Sequence, residues 1–361
     1  MHETPAQLGY RWPAEWEPQT SVWLSWPRNR NSWPNHFEPV PGEFAQFVRL
    51  LAEYEPVNIL AGGREVIEQA RSLVGDLKNV TLHDISTNDA WCRDHGPTFL
   101  SSPHAPRRAG ISPTHFTGAP EMTAMPALVD WEYNAWGGKY PPFDLDNQIP
   151  QRIAELQGRR RFAPGIILEG GAIDGNGCGT ILTTESCLLN PNRNPQLSRE
   201  QVESYLRDYL AAKKILWLTG GEIAGDDTDG HIDQIARFVN PTTVVVSTCD
   251  DPADENYEPA QQNWRELSGM SDQDGRPLSL VRLPLPPALF CDGQRLPAGY
   301  CNFLIANGVV VVPQFGDPAD QAAIRLLEPL FPERDVRGSP SLNLIWGLGS
   351  FHCLSQQEPI P

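Results

Sequence analysis

The sequence contains no run of about 20 apolar residues, which is the length that a membrane-spanning helix needs. Its first residues lack the basic start and the apolar stretch of a secretory signal peptide. The seven cysteines are odd in number and include no CxxC pair, so we do not expect a disulfide framework. These absences favour a cytoplasmic protein with no membrane partner.

Basic residues are scarce, with 28 lysines and arginines against 45 acidic residues and a formal net charge of −17. Such a charge repels nucleic acid and anionic membranes, and it attracts cations. The alternative explanation of the acidic charge is that it only keeps the protein in solution. We therefore expect no nucleic-acid partner, and a cationic ligand is favoured.

A hairpin, a helix and a strand recur in that order along the second half of the 361-residue chain. The clearest copy predicts strands over 301–306 and 309–312 on either side of Asn307-Gly308, a strong hairpin signal. A helix over 323–330 and a strand over 335–337 follow. The same order is predicted over 166–168, 180–183, 202–209 and 214–218, and again over 234–239, 243–247, 260–267 and 278–283.

Two looser copies are predicted upstream, with a helix over 44–51 before a strand over 57–60, and a helix over 149–156 before a strand over 160–162. Units of this size cannot bury a core individually, so successive copies should pack side by side and could close around an axis. Five units would make a propeller. An ordinary α+β domain with several hairpins fits the periodicity about equally well.

Five polar clusters fall at predicted strand ends or turns, where a scaffold presents chemistry. Trp91 and Asp94 place an aromatic ring near a carboxylate, a pair that could grip a planar cation. Glu169 follows an apolar strand and could orient a base, while His231 and Asp233 would share one face of an extended segment. The clusters span residues 88–97, 134–143, 168–171, 225–233 and 347–357.

Cys353 lies shortly after Gly347 and Gly349. Glycines let a substrate approach the backbone closely, and a thiolate is the strongest side-chain nucleophile near neutral pH. Buried structural thiols outnumber reactive ones, so a catalytic role for Cys353 depends on the residues that accompany it.

A metal site is not predicted. The acidic segment 225–233 fails the calcium-loop pattern, because Gly225 stands where the first acid is required and Ala236 where the bidentate glutamate belongs. No HxxxH or CxxC pair supports a transition metal. Competent ligands of that kind do occur, namely His231, Asp233, His352 and Cys353.

Together the clusters resemble the agmatine deiminase family, which is related to bacterial peptidylarginine deiminases within the guanidine-modifying pentein superfamily. The resemblance covers nearly the whole chain. A single matching motif would be weak support, but many motifs in the family's order are strong support. It implies an α/β fold, a five-bladed propeller of ββαβ modules around a pseudo-fivefold axis, with residues 1–361 forming a single catalytic domain. The matching motifs span residues 12–18, 23–27, 91–97, 134–140, 168–171, 226–233, 302–303 and 352–353.

The chain departs from the family pattern in two places. Residues 346–351 read WGLGSF, whereas well-characterised agmatine deiminases have a more glycine-rich run with isoleucine before the histidine. His95 stands where those enzymes often have threonine. We therefore expect the rim of the pocket to differ.

The resemblance implies a role for each of five residues. Asp94 and Asp233 would hold the planar guanidinium through paired, charge-assisted hydrogen bonds. The Cys353 thiolate would attack its central carbon, and His231 would protonate the departing ammonia and later activate water. Glu169 would hold the His231 ring and favour its charged form. Because the cysteine supplies the covalent step, neither a metal nor an organic cofactor is expected.

With agmatine as the substrate, the products would be N-carbamoylputrescine, a precursor of putrescine in polyamine metabolism, and ammonia. We expect Trp91 to close over the alkyl chain and Asp227, or Asp226, to meet the far amine. Trp91 could equally be a core aromatic, and the two aspartates could be turn caps. No arginine or lysine is evidently positioned for the α-carboxylate of free arginine, and Arg93 is better explained as a structural ion-pair partner.

Three alternatives stay open at this point: a deiminase of peptidyl-arginine or another guanidine compound, an amidinotransferase, and a non-catalytic pentein that binds a partner. The last is disfavoured because all five catalytic residues are present. A homodimer is expected, because dimers are common among the relatives.

Overall fold

The computed structural model describes residues 3–102 and 125–361, which form short strands and helices in alternation. The strands are β1 (Gln19–Ser25), β2 (Val57–Leu60), β3 (Val80–His83), β4 (Thr98–Leu100), β5 (Ala127–Val129), β6 (Arg160–Phe162), β7 (Ile173–Gly175), β8 (Thr180–Thr184), β9 (Lys214–Leu218), β10 (Ala236–Phe238), β11 (Thr243–Thr248), β12 (Ser279–Pro284), β13 (Phe290–Cys291), β14 (Gln294–Arg295), β15 (Leu304–Ala306), β16 (Val309–Gln314), β17 (Asp335–Pro340) and β18 (Ser355–Pro359). The helices are α1 (Val40–Ala52), α2 (Arg64–Val74), α3 (Cys92–His95), α4 (Ala135–Gly138), α5 (Ile149–Gln157), α6 (Glu185–Leu188), α7 (Arg199–Leu210), α8 (Ile232–Ile235), α9 (Tyr257–Ser268) and α10 (Ala319–Leu327).

Five sheets share one topology. In four of them, two antiparallel strands are followed by a helix and a third strand that lies parallel to the second. Their strand orders are β4-β5-β6, β7-β8-β9, β10-β11-β12 and β15-β16-β17. The fifth sheet joins the two ends of the chain, because β18 pairs antiparallel with β1, and β2 and β3 continue in parallel.

Burial changes across each unit. The middle strands β5, β8 and β16 are almost entirely buried, and β16 is a run of four valines, a residue that suits a strand covered on both faces. The third strands β6, β12 and β17 are largely exposed, whereas β9 is buried over its last three residues. The first two strands of each unit therefore lie toward the interior of the molecule.

The clearest predicted copy of the repeat is confirmed. Strands β15 and β16 form a hairpin about Asn307-Gly308, where Gly308 has a φ of 73° that favours glycine. The helix and the last strand also follow, as α10 and β17. The two upstream helix–strand pairs are confirmed as α1 with β2 and α5 with β6.

Three strand predictions are wrong in whole or in part. Residues 234–235 belong to helix α8, so His231 and Asp233 do not lie on an extended segment, and residues 301–302 belong to a short helical turn before β15. Residues 166–168 make only an isolated bridge, between Ile167 and Glu132, and the first strand of that unit is β7, further along the chain. The aliphatic run is buried as expected, but a helical turn over Gly170–Ala172 separates it from the sheet.

Similar short helical turns precede the first strand of every unit. Helix α3 precedes β4, Gly170–Ala172 precedes β7, α8 precedes β10, and Tyr300–Asn302 precedes β15. A fifth turn, over residues 351–354, precedes β18. Several of these turns contact one another, so residues distant in sequence meet at the interior end of the sheets.

A fully buried arginine in β10, Arg237, links several of these parts. Its Nε donates to Asp174 Oδ2 at 2.6 Å, its NH2 group donates to Glu15, and its NH1 group donates to the carbonyl of Phe303 at 2.9 Å. Burial alone would raise the pKa of Glu15, but the charges of Arg237 and His352 lower it to about 2. The core is therefore crossed by an ionised network.

We expect Arg237→Met to lower the free energy of unfolding by about 3–5 kcal/mol, because two buried carboxylates lose their cation. Urea denaturation measures this loss. Arg207→Gln is the matched control, since Arg207 pairs with Glu203 on a helix surface and its side chain is 48% exposed. It should cost less than about 1 kcal/mol. An equal effect of the two substitutions would contradict a structural role for the buried network.

Within residues 3–102 and 125–361, no helix has both the length and the apolar character needed to cross a membrane.

Candidate active site

A cavity of about 250 Å³ lies where the helical turns meet. Cys353, Trp91 and Trp136 line it, together with four aspartates. Among the described residues of its wall, none is an arginine or a lysine. The cavity is therefore suited to a cation with an apolar portion. The four aspartates are Asp89, Asp94, Asp227 and Asp292.

Asn302 fixes the position of Cys353. Its Nδ2 donates to Cys353 Sγ at 3.0 Å, and its Oδ1 accepts from the backbone amides of Ser350 and Cys353 at 3.1 and 3.2 Å. The carbonyl of Asn302 also accepts from the amide of His352. The turn that presents the thiol is thus held by one side chain from a neighbouring unit.

Asp233 is the carboxylate that contacts this thiol. Cys353 Sγ donates to Asp233 Oδ2 at 3.5 Å, and His352 Nδ1 donates to the same oxygen at 2.7 Å. Burial would raise the pKa of Asp233, but the hydrogen bond and the charge of His352 hold it below its usual value. Asp233 is therefore ionised. Its other oxygen is buried and finds no hydrogen-bond partner in the described part of the chain.

Asp94 is held by two donors. Trp136 Nε1 donates to Oδ2 at 2.9 Å, and the amide of Gly171 donates to Oδ1 at 3.0 Å. Burial raises the pKa of Asp94 to about 6, although the charge of His231 opposes that rise. Asp94 thus titrates close to neutral pH.

The His231 ring lies beside Asp94, with Nδ1 3.7 Å from Asp94 Oδ1. Burial would lower the pKa of His231, but the charge of Asp94, the Cys187 thiol and Glu169 raise it well above the usual value. Within the described residues, neither ring nitrogen makes a hydrogen bond. A protonated imidazole with donors to spare is the form expected of a general acid.

Gly171 shows how closely these groups converge. A Cβ atom at this position would lie 2.6 Å from His231 Nδ1, 2.8 Å from Asp94 Oδ1 and 3.1 Å from Asp233 Oδ2. A side chain there would displace all three groups, so the geometry requires glycine.

Two negative charges act on the thiol. Burial raises the pKa of Cys353 well above its usual value, and the charges of Asp233 and Asp94 raise it further. The resting thiol is therefore protonated. A cation placed between the carboxylates would oppose these charges and lower the pKa of the thiol.

The structure brings all of the predicted site residues to this region. Asp94, Trp91, Asp227 and Cys353 line the cavity. The other three, His231, Asp233 and Glu169, are fully buried beside those walls.

Glu169 contacts a residue that the sequence did not point to. Its Oε1 accepts from Arg193 Nε at 2.6 Å, and Arg193 also donates to Asp229 at 2.6 Å. Glu169, Cys187 and His231 offer ligand atoms within 4.8 Å of one another, but Glu169 makes no hydrogen bond to His231. Its effect on His231 is therefore one of charge.

Trp91 and Asp227 also have structural contacts. Trp91 stacks on Trp33 with ring centroids 5.4 Å apart, and a Cβ atom at Gly349 would touch its ring. Asp227 accepts a hydrogen bond from the Tyr140 hydroxyl. Both residues can face a ligand and support the cavity wall.

Two other candidates are not among the residues that line the cavity. Asp226 caps a turn by accepting from Thr228 and from the amide of Gly230. Arg93 is buried and donates to the carbonyl of His352 and to Gln357 Oε1. Its role is to hold the C-terminal turn.

Sequence reasoning missed five residues that position the site. Asn302 and His352 fall within motifs of the resemblance, yet nothing in their spacing assigns the contacts they make. Trp136 lies in the predicted aromatic loop, at a left-handed φ of 55°. Gly171 adjoins Glu169. Arg193 had no signal, because its partners lie 24 and 36 residues away in sequence.

A family model for Porphyromonas-type peptidyl-arginine deiminase matches residues 11–359. The agmatine deiminase of Pseudomonas syringae pv. tomato is 37% identical over 100% of this chain and 98% of its own length. The agmatine deiminase of Pseudomonas aeruginosa strain LESB58 is 38% identical over 99% of this chain and 98% of its own.

The solved structure of the agmatine deiminase of Enterococcus faecalis has the same fold. It superposes with a TM-score of 0.89 at 34% identity and covers 99% of this chain and 98% of its own.

Proposed function

This chain belongs to the Porphyromonas-type peptidyl-arginine deiminase family, and from that premise we propose that it hydrolyses the guanidinium group of agmatine to N-carbamoylputrescine and ammonia. Agmatine carries a guanidinium at one end and an ammonium at the other, joined by an apolar chain. The observation that carries the proposal is the cavity wall, with four aspartates, three tryptophans and neither arginine nor lysine among its described residues. Free arginine would bring an α-carboxylate that this wall does not accommodate.

The guanidinium would bind between Asp94 and Asp233. Trp136 and Gly171 orient the first carboxylate, and His352 orients the second. Each carboxylate oxygen can accept more than one hydrogen bond, and one oxygen of Asp233 makes none within the described chain. Paired N–H···O bonds to both carboxylates would hold the plane of the guanidinium against the thiol.

Binding would also activate Cys353. The substrate cation offsets the two negative charges that keep the pKa of the thiol high, so the thiol releases its proton to solvent and the thiolate forms where it is needed. Its sulfur attacks the central carbon and gives a tetrahedral intermediate. His231 then donates a proton to one amino group, the C–N bond breaks, and ammonia departs. Cys353 then carries the rest of the substrate as an amidino-thioether.

Water completes the reaction. His231, now neutral, takes a proton from the attacking water, and a second tetrahedral intermediate forms. Its collapse breaks the C–S bond, releases the ureido product and restores the thiolate. Glu169, held by Arg193, would keep the imidazole charged in the resting enzyme. Trp91 would pack along the alkyl chain, and Asp227 would meet the far amine.

A second candidate is the side chain of a peptidyl-arginine, which the name of the family model suggests. A peptide would have to place its backbone outside the cavity, and only the side chain would enter. An amidinotransferase would begin with the same thiolate attack, but the alkylamine would leave in place of ammonia, and a second amine would then take the amidino group from the cysteine.

Ammonia release separates these activities. Wild-type protein is assayed with agmatine, free arginine, a blocked arginine peptide and methylguanidine, with Cys353→Ser protein as background. We expect release from agmatine, with kcat/KM at least about tenfold above that for each other compound, because a missing charge contact costs about 1.4 kcal/mol or more.

Release from the peptide alone would replace agmatine by a protein substrate. Release of the alkylamine in place of ammonia, with a new guanidine formed when an acceptor amine is present, would identify an amidinotransferase.

We also propose that the five units close around a pseudo-fivefold axis as propeller blades, with the whole chain as one catalytic domain. Contacts between β18 and β4 and between β7 and β10 support this arrangement. All seven cysteines are free, which supports the cytoplasm as its location. A homodimer stays a prediction.

A further inference from the structure

A second cluster of reactive side chains lines the same cavity as Cys353. His36, Cys291 and Asp292 each offer one ligand atom, and these atoms all lie within 4.8 Å of one another. All three residues line the cavity. None of them takes part in the proposed catalytic steps.

Two of these ligands come from a tight hairpin. Cys291 ends β13 and pairs with Gln294 at the start of β14, so Asp292 and Gly293 alone form the turn. Their φ angles are 50° and 81°, as a two-residue hairpin turn of this hand requires. The turn therefore fixes a thiol and a carboxylate next to each other at the cavity wall.

The third ligand comes from a distant loop. His36 lies between β1 and α1, and its ring packs against Trp346 with centroids 3.7 Å apart. Its Nε2 is buried and lacks a hydrogen-bond partner in the described part of the chain. The nearest acid, Asp292 Oδ2, is 3.7 Å away, too far for a hydrogen bond. The local packing thus orients this nitrogen without satisfying it.

We propose that His36, Cys291 and Asp292 bind a zinc ion at the rim of the cavity, and that the bound ion reversibly inhibits the enzyme. Imidazole, thiolate and carboxylate are the side chains that zinc prefers, whereas calcium and magnesium take oxygen ligands. Zinc bond lengths of about 2.0–2.3 Å place tetrahedral ligands roughly 3.3–3.8 Å apart. The three side chains need to close by only about 1 Å, which the exposed turn permits.

Inhibition follows from geometry and charge. The ion would tie the loop of His36 to the β13–β14 hairpin, and both segments line the cavity that the substrate must enter. Without metal the cluster has the single negative charge of Asp292. With Zn²⁺ bound to this carboxylate and to a thiolate the cluster is neutral, so the rim attracts a cationic substrate less.

Direct binding tests the site independently of any enzymatic activity. Zinc chloride alone is titrated into Cys353→Ser protein, which removes the catalytic thiol as a competing ligand. We expect one equivalent to bind. Adding Cys291→Ser or His36→Gln should raise the dissociation constant for zinc at least about tenfold. Even the loss of a residue that only hydrogen-bonds to a metal ligand lowers metal affinity about 10–100-fold. Cys249→Ser is the matched control, because Cys249 is also half-buried but lies outside the cavity wall, and it should leave the constant unchanged.

The inhibitory role rests on the proposed function and has its own assay. Zinc should slow ammonia release by wild-type protein, a chelator should restore it, and Cys291→Ser should require at least about tenfold more zinc. Failure of both rim substitutions to weaken zinc binding would overturn the site. Tight binding at the rim with full activity would overturn the inhibition and keep the site. If wild-type protein releases no ammonia from any substrate, the proposed function fails while the titration still decides the metal site.

Discussion

Cys353→Ser is expected to lower the turnover of agmatine by about 10³-fold or more while the protein still binds substrate. Serine keeps the size of the side chain and its hydrogen-bond capacity at Asn302 and Asp233. It cannot act as an anionic nucleophile near neutral pH. Turnover is measured by ammonia release and binding by calorimetry on the same preparation.

The covalent intermediate gives this prediction a second measurement. Wild-type protein quenched in acid during turnover should carry an alkylamidino group, agmatine less ammonia, on the peptide that contains Cys353, and Cys353→Ser protein should carry none. Cys178→Ser is the control, because Cys178 is an exposed thiol outside the cavity wall, and it should keep wild-type turnover. Near wild-type turnover of Cys353→Ser protein would rule out this thiol as the nucleophile.

Much of the fold could be predicted because the repeat has local signals. The turn at Asn307-Gly308, the apolar faces of α1 and α10 and the valine run of β16 each report a nearby packing requirement. The prediction for residues 166–168 was wrong because no local signal distinguishes a strand from another buried segment there. An apolar run is buried equally well in a strand or beside one, and only the hydrogen-bond partners of Ile167 distinguish the two.

The sequence indicated which residues belong to the candidate site, but it did not indicate the contacts that these residues make. Asp94, His231, Asp233 and Cys353 come from three different helical turns, and each turn stands before the first strand of its own unit. Because the sheets share one topology, these turns meet at one place, and a repeat makes that convergence foreseeable. The partners of the site residues depend on packing between units, so Asn302 became evident only in the structure.

The unit topology also explains why the chemistry lies in turns. A strand residue has its backbone groups committed to the sheet, but a turn before the strand can aim both amides and side chains inward. The amides of Gly171 and Cys353 are used in this way, the first for Asp94 and the second for Asn302.

Asp94→Asn should lower kcat/KM for agmatine by about 10²–10³-fold, because a buried guanidinium loses one of its two carboxylate partners. The side-chain amide of the new asparagine has only one oxygen, so it cannot accept from both Trp136 and Gly171 in the present geometry. One of these two donors would face the NH2 group of the amide. A thermal melt therefore accompanies the kinetics and measures how much of the loss is structural. Asp130→Asn is the matched control, since it removes one buried carboxylate outside the cavity wall and should leave kcat/KM near the wild-type value.

The pH profile separates a grip on the substrate from a structural role. Burial raises the pKa of Asp94 to about 6, so its carboxyl is ionised above that pH and protonated below it. Only the ionised form attracts a guanidinium, and kcat/KM of the wild-type enzyme should therefore fall about tenfold per pH unit below about 6. The pKa of His231 is held well above its usual value, so His231 stays charged across that range and adds no step. In Asp94→Asn protein this acidic limb should disappear, because the titrating group is gone. If Asp94→Asn protein kept the acidic limb, another group would be responsible for it. Asp94 would then have only a structural role, as the acceptor for Trp136.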